Sequence, residues 1–156
     1  MSVFNNEELQ EIDRELAHYD KRRAGCVEAL KTVQRRRGWV DDEALKALAD
    51  YLDMSAEELD GVASFYNLIY RRPVGRHVIH LCDSVVCWMM GYRDIAQRLK
   101  TDLGLEAGQT TADGRFTCLP ASCLGACHKA PVMVVDETLH DQLRGDQLAQ
   151  ILERYQ

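Results

Sequence analysis

The strongest chemical signal in this chain is a set of four cysteines that stand in two pairs. Four residues separate Cys82 from Cys87, and three residues separate Cys123 from Cys127. The composition around each pair is typical of loops, so we expect two separate loops of one compact domain to bring the four thiolates together. Such a set of thiolates predicts a metal centre.

Three kinds of site could use this pattern. In a 2Fe-2S cluster each iron takes two thiolates, and short gaps within each pair suit two pairs that face each other across the bridging sulfides. Structural zinc sites also use four cysteines, usually with about two to four residues between ligands, so zinc is the nearest alternative. Disulfides are a third choice, but the opening MSVFNNEELQ has no basic-then-apolar signal segment, so we expect a reducing compartment. The spacing favours the cluster over zinc and disulfides.

Length and charge limit the classes of function. The chain has 156 residues and a net charge of −6, which suits one domain with a real core, or a small domain plus a helical extension. Because both signs of charge are interspersed, nucleic acid is not expected as the ligand, and the three arginines at 35–37 predict the solvated last turn of a helix. No apolar run has the length of a membrane span, so we expect any membrane connection to come through a partner.

The first part of the chain, residues 1–73, is predicted to be a helical extension with an architectural role. Three segments carry apolar residues at spacings of three and four, as amphipathic helices do. Gly38 is a candidate stop for the second helix, and Ser55 with Glu58 forms a capping-box pattern that opens a fourth. The apolar stripes are Leu9, Ile12 and Leu16; Val27, Leu30 and Val33; and Leu45, Leu48, Ala49 and Leu52.

The second part, residues 74–156, is predicted to be a small two-layer domain. Strand composition at 76–81 runs straight into Cys82, and further strands are predicted at 115–119 and 132–135. Helical stripes begin at Tyr92 and at Leu148. Both cysteine pairs therefore follow strands, which is where open α/β sheets commonly place their sites.

Four motifs give the chain a family resemblance. They are CDSVVCW at 82–88, TTADGRF at 110–116, SCLGACHKAP at 122–131, and VASFY at 62–66. The first three motifs, in that order along the chain, resemble the thioredoxin-like 2Fe-2S subunit of bacterial respiratory NADH:quinone oxidoreductase (complex I), and the fourth resembles the same family. Small subunits of NAD-linked formate dehydrogenases and hydrogenases share the motifs. The likeness covers nearly the whole chain.

The resemblance implies an α+β or α/β fold in which an N-terminal helical bundle precedes a thioredoxin-like 2Fe-2S ferredoxin domain. It implies that Cys82, Cys87, Cys123 and Cys127 bind one 2Fe-2S cluster, and that no residue of this chain is catalytic on a substrate. The chain would be the electron-carrying subunit of an oxidoreductase and would accept single electrons beside FMN.

The resemblance also implies partners. FMN and NADH would lie on a flavoprotein subunit that the helical extension grips, and further iron–sulfur subunits would belong to the same complex. The complex would hold this chain at the cytoplasmic face of the inner membrane, without direct membrane contact. The alternatives are the equivalent subunit of a formate dehydrogenase or hydrogenase, and a free-standing thioredoxin-like ferredoxin.

Two further cysteines have to be placed. Cys118 lies five residues before Cys123 and so imitates the spacing of the first pair. Its apolar neighbours favour a packed side chain, and Gly125 supplies a permissive turn between Cys123 and Cys127. We predict that Cys118 is not a ligand and that Cys26 is a buried thiol.

Some residues beside the ligands have two interpretations. Trp88, Met89 and Met90 could shield the cluster from water, or they could be the apolar start of a helix. Asp83 adds negative charge beside the first pair, and Lys129 adds positive charge beside the second.

Overall fold

A computed structural model of the chain describes residues 3–156. Met1 and Ser2, the first two residues of the predicted extension, lie outside the described residues. The chain forms two compact units, one ending at Pro73 and one running from Val74 to Gln156. No helix within residues 3–156 is long and apolar enough to cross a membrane.

The first unit is helical, as its stripes predict. The capping box of Ser55 and Glu58 opens the last of its helices, and a second capping box, of Asn5 and Glu8, opens the first. Gly38 follows the second helix with φ 82°, a left-handed conformation that glycine adopts without a Cβ clash. The helices are α1 (Asn6–Leu16), α2 (Cys26–Arg37), α3 (Asp42–Tyr51) and α4 (Ala56–Phe65), with a 3₁₀ turn at Arg22–Gly25.

The apolar stripes of these helices form one core. Ile12, Leu30 and Leu48 are fully buried in it, and the predicted burial of Cys26 is confirmed. The prediction that the arginines at 35–37 are simply solvated is wrong for Arg37. Its guanidinium pairs with the nearly buried carboxylate of Glu8, with 2.8 Å between Nε and Oε1.

The second unit is a mixed four-stranded sheet with helices. The strand order is β2-β1-β3-β4; β1 and β2 are parallel, and the other pairs are antiparallel. Strand β4 and helix α5 are absent from the predicted element order, and β2 extends two residues past its predicted end. The elements are β1 (His77–Cys82), α5 (Val85–Met89), α6 (Tyr92–Leu103), β2 (Phe116–Ala121), β3 (Met133–Val135), β4 (Thr138–His140) and α7 (Leu148–Leu152).

One face of this sheet packs against α6 and α7. Alternate residues of the strands point to it, as the pleat requires. Ile79, Phe116 and Met133 are fully buried there against Ile95 and Leu148. Cys118 belongs to the same core and is 3% exposed, so the prediction that it packs as a small hydrophobe is confirmed.

Candidate metal centre

The parallel pairing of β1 with β2 determines where the two cysteine pairs meet. The last residues of the two strands, Cys82 and Ala121, face each other in the register, and Cys123 follows two residues later. The pairing continues past the strand ends, because the backbone N–H of Asp83 donates to Ala121 O at 3.0 Å. Both pairs therefore lie at the carboxyl edge of the two parallel strands, as the sequence predicts.

The expectation that each pair lies wholly on loops is wrong in detail. Cys82 ends β1, and Cys87 lies within the short helix α5. Cys127 opens a 3₁₀ turn, Cys127–Lys129. Only Cys123 is in irregular backbone. The run from Ser84 to Cys87 has no strong helix former, and its single helical turn depends on the surrounding fold rather than on local propensity.

The second pair has the geometry of a chelate. The Sγ atoms of Cys123 and Cys127 lie 3.7 Å apart. A tetrahedral metal with metal–sulfur bonds of about 2.3 Å holds two sulfurs roughly 3.8 Å apart. Gly125 turns the chain between them with φ 78°, and its N–H donates to Cys123 Sγ at 3.4 Å. The separation of these two exposed sulfurs is therefore compatible with a shared metal ion.

The environment of this pair separates the acidities of its two thiols. The Gly125 N–H lowers the pKa of Cys123, and the bond shared with Cys127 acts in the same direction. The bond that Cys127 shares with Cys123 raises the pKa of Cys127. Hydrogen-bond donors are therefore already directed at Cys123, which favours a thiolate at that position.

The first pair is buried. Cys82 and Cys87 pack with Ala126 and Val132 in a small apolar cluster. Burial raises the pKa of Cys87 to about 11, the adjacent Cys82 adds to that rise, and the backbone N–H of Val132 opposes it. A buried thiol with a raised pKa stays protonated near neutral pH. A metal cation would have to displace this proton, because metal coordination requires the thiolate.

The two pairs are close enough to act on each other. Cys127 interacts electrostatically with Cys82 and with Cys87. Within residues 3–156, no three Cys, His, Asp or Glu side chains are grouped as a site for a single metal ion. A 2Fe-2S cluster needs two facing pairs rather than one such group, because each iron takes two thiolates. The four cysteines, with the Gly125 N–H directed at Cys123, fit that group.

Several apolar side chains on either side of Cys87 are exposed. Val85, Trp88, Met89 and Met90 form an apolar surface on and just after α5, which we call the α5 surface, and Met89 is 74% exposed. The guanidinium of Arg93 lies over the Trp88 ring, 4.6 Å from its centroid. Trp88 and Met89 end α5, whereas the next helix, α6, begins only at Tyr92.

Two residues beside the site were missed from the sequence. Val132 packs with Cys82 and Cys87 in their apolar cluster, and Asp141 pairs with Lys129, with 2.9 Å between Oδ2 and Nζ. Both contacts depend on tertiary structure, so no local pattern in the sequence could have indicated them.

Comparison with known proteins gives one consistent family. The model of the thioredoxin-like [2Fe-2S] ferredoxin family matches residues 12–156. The NADH-quinone oxidoreductase subunit designated E from Pseudomonas aeruginosa is 46% identical over 153 residues, which are 98% of this chain and 92% of that protein. Its counterpart of the same designation from Escherichia coli (strain K12) is 51% identical over 148 residues, 95% of this chain and 89% of that protein.

A solved structure is similar at lower identity. The crystal structure of an NAD⁺-reducing [NiFe]-hydrogenase in the air-oxidized state matches with a TM-score of 0.70 and 26% identity. The match covers 84% of this chain but only 22% of the hydrogenase chain. This chain therefore corresponds to about a fifth of that longer polypeptide.

Proposed function

The chain belongs to the thioredoxin-like [2Fe-2S] ferredoxin family, and on that premise we propose that it carries single electrons within an NADH-oxidising quinone reductase. Relatives that this chain matches over 95–98% of its length are named as a subunit of that enzyme. The observation that carries the proposal is the meeting of two cysteine pairs at the ends of β1 and β2, with the Gly125 N–H directed at the sulfur of Cys123. The chain is thus the electron-transfer part of an oxidoreductase.

We assign Cys82 and Cys87 to one iron and Cys123 and Cys127 to the other. When bound, the 2Fe-2S cluster supplies one-electron chemistry, and its reduction adds one negative charge to an already anionic centre. The chain's own groups hold it and stabilise that charge. Gly125 presents its backbone N–H to the sulfur of Cys123, and Ala126 and Val132 exclude water from the inner pair.

The partner in this proposal is the flavoprotein subunit that binds FMN and NADH. An exposed apolar group at the end of α4, which we call the arm surface, is available for docking it: Phe65, Tyr66 and Leu68. Phe65 is 82% exposed, and its ring meets that of Tyr66 edge to face. Exposed aromatic residues are typical anchors of protein interfaces. The arm surface lies in the unit that ends at Pro73, which we propose as the docking extension.

In this proposal the complex also determines the location of the chain. It would hold the chain at the cytoplasmic face of the inner membrane, beside the other iron–sulfur subunits.

The experiment has two parts. The chain is purified anaerobically, and its absorption spectrum is recorded together with its iron, sulfide and zinc content. We expect iron–sulfur charge-transfer bands from the near ultraviolet into the visible, with two irons per chain. Zinc with no visible absorption would contradict the cluster. The tagged chain is then used to capture partners from cells that express the whole complex, and a flavoprotein with NADH dehydrogenase activity is expected.

A hydrogenase subunit is the second candidate, because of the structural likeness at a TM-score of 0.70. It is less well supported, since this chain spans about a fifth of the hydrogenase chain but 89–92% of the quinone-reductase relatives. The captured complex distinguishes the two. Hydrogen-dependent NAD⁺ reduction would support the hydrogenase, and NADH-dependent quinone reduction would support the first proposal.

A further inference from the structure

The segment that follows α4 carries part of the arm surface and is held at several points. Residues 66–70 form turns and bends rather than a helix, but the side chain of Ile69 is buried in the core of the helical unit. The Ile69 N–H donates to Tyr66 O at 2.9 Å, and Tyr70 O accepts from the Val40 N–H at 2.8 Å. The backbone beneath the exposed arm surface is therefore fixed against the helices.

One side chain binds this segment on both sides of Ile69. Gln34 lies in the last turn of α2, and its Nε2 donates to Leu68 O at 2.9 Å. Its Oε1 accepts from the Tyr70 N–H at 2.6 Å. The side-chain amide thus uses its donor and its acceptor on one short stretch of backbone, as a neighbouring strand would. Leu68 belongs to the arm surface, so Gln34 holds this surface directly.

A second clamp fixes the far end of the segment. Arg71 pairs with Asp60, with 2.8 Å between Nε and Oδ1. It also pairs with Asp42, with 2.7 Å between Nη2 and Oδ1. Asp42 opens α3 and Asp60 lies in α4, so Arg71 joins the end of the segment to both helices. Gln34 contributes the bond to the backbone of the arm surface itself.

We propose that Gln34 is a positioning residue that preorganises the arm surface for the flavoprotein subunit. The inference rests on the proposed function, because it takes the arm surface as the docking site for that subunit. A segment that is ordered before binding loses less conformational entropy on association, so it binds more tightly. The motif VASFY at 62–66 ends in two aromatic members of this surface, and the stretch that Gln34 holds follows it directly.

The test compares two variants of the full chain with the wild type. Gln34→Met removes both hydrogen bonds at similar side-chain length and keeps a good helix former. Gln10→Met is the matched control, because Gln10 is an exposed glutamine on α1 of the same unit. Hydrogen exchange of the Tyr70 amide is measured by nuclear magnetic resonance in the free chain. The dissociation constant is then measured with the flavoprotein subunit purified from cells that express the complex.

We expect faster exchange at Tyr70 and an affinity for the flavoprotein that is about tenfold lower in Gln34→Met only. A single hydrogen bond contributes little to global stability, so the variant should keep its helical circular dichroism and its iron content. Unchanged exchange or unchanged affinity in Gln34→Met would overturn the proposal. An equal loss of affinity in Gln10→Met would overturn it as well.

A second comparison separates positioning from a general structural role. In a Phe65→Ser background, Gln34→Met should have a clearly smaller effect on affinity, because an anchor of the surface that it positions is already missing. The same fold-change in both backgrounds would mean that Gln34 acts independently of the arm surface, and would overturn the proposal. A wild-type chain that binds no flavoprotein would instead contradict the proposed function, whereas exchange at Tyr70 tests the clamp in either case.

Discussion

Cys118 and Cys82 point to opposite faces of the same sheet. Cys118 pairs with Ile79 in the β1/β2 register, and both side chains lie in the core beneath α6 and α7. Cys82 is three residues after Ile79, and an odd separation along a strand reverses the face. Cys82 instead packs with Cys87 in a separate cluster. The strand register therefore places the two cysteines on opposite faces of the sheet. Their spacing does not distinguish them, since Cys82 precedes Cys87 by as many residues as Cys118 precedes Cys123.

The first prediction concerns the ligands. Serine at Cys82, Cys87, Cys123 or Cys127 should abolish or strongly perturb the cluster, because each iron would lose a thiolate. Alanine at Cys118 or Cys26 should leave two irons per chain. Iron and sulfide content with the visible spectrum checks each variant. Loss of the cluster in Cys118→Ala with its retention in Cys127→Ala would show that the ligand assignment is wrong.

Cys118→Ala should also lower the stability of the fold. Its thiol is buried in the core, where burial raises its pKa to about 11, so it is a neutral apolar group. Truncation of a small buried side chain should lower the free energy of unfolding by about 1 kcal/mol. The variant should therefore be slightly less stable while it keeps its full spectrum.

How far the sequence predicts this structure depends on the kind of signal. Long periodic stripes predict α1, α2, α3 and α6 because an amphipathic helix repeats its pattern over several turns. The capping pattern of Ser55 and Glu58 predicts where α4 begins, since both partners are local. The carboxyl-edge position of the cysteine pairs follows from strands that run directly into them.

The missed features depend on contacts distant in sequence. Strand β4 has only three residues, two of them exposed, and it is ordered by pairing with β3. Arg37 was expected to be solvated because its sequence neighbours are charged; its partner, Glu8, lies on another helix. The short turn of α5 is too brief for any periodicity to show.

The second prediction concerns docking. Replacing Phe65 with serine should weaken capture of the flavoprotein subunit by about 10- to 100-fold, the usual effect of losing an aromatic anchor. The cluster should be unaffected, since all four proposed ligands lie beyond Pro73. Pull-down from cells that express the complex, with iron content as a control, measures both effects. Leu139→Ser is a matched control, because Leu139 is an exposed apolar residue on β4.

A fragment that begins at Val74 extends this test. The unit from Val74 has its own core around Ile79, Phe116 and Met133, so the fragment should assemble its cluster. It should lose stable association with the flavoprotein, because the arm surface is missing. Capture at wild-type strength would contradict the proposed role of the extension.

The third prediction concerns the ion pair in the helical unit. Arg37 hydrogen-bonds Glu8 and holds the pKa of that carboxyl below its ordinary value of 4.5. Because the folded pKa is depressed, the pair's contribution is fully present above pH 4.5 and is lost as pH falls through the folded pKa. Glu8→Gln should lower the free energy of unfolding by about 1–3 kcal/mol near neutral pH. The difference should shrink in acid.

Glutamine at this position keeps the reciprocal capping bond to Asn5, so the substitution tests the charge. Unfolding is followed by the fluorescence of Trp39, in a Trp88→Phe background that leaves one tryptophan in the helical unit. Glu7→Gln is the matched control, since Glu7 is largely exposed and lies farther from its arginine, at 3.4 Å. Its effect should be close to zero. Equal destabilisation by the two substitutions would contradict the assignment.

The last prediction concerns charge beside the second pair of ligands. Sequence alone predicts that Lys129 offsets the negative charge of the cluster, but the ammonium is already paired with Asp141, with 2.9 Å between Nζ and Oδ2. Lys129→Gln leaves the Asp141 carboxylate without this partner, so the reduced state is disfavoured and the potential should fall. Asp141→Asn should raise the potential, because it frees the cation. The double variant removes both charges and should return close to the wild-type value.

Both groups are partly exposed, so solvent and salt limit the change in potential of each single variant to roughly tens of millivolts. Redox titrations of the three proteins at low and high salt measure the shifts, and salt should reduce them. A double variant that shifts as far as Lys129→Gln alone would mean that Lys129 acts on the cluster independently of Asp141.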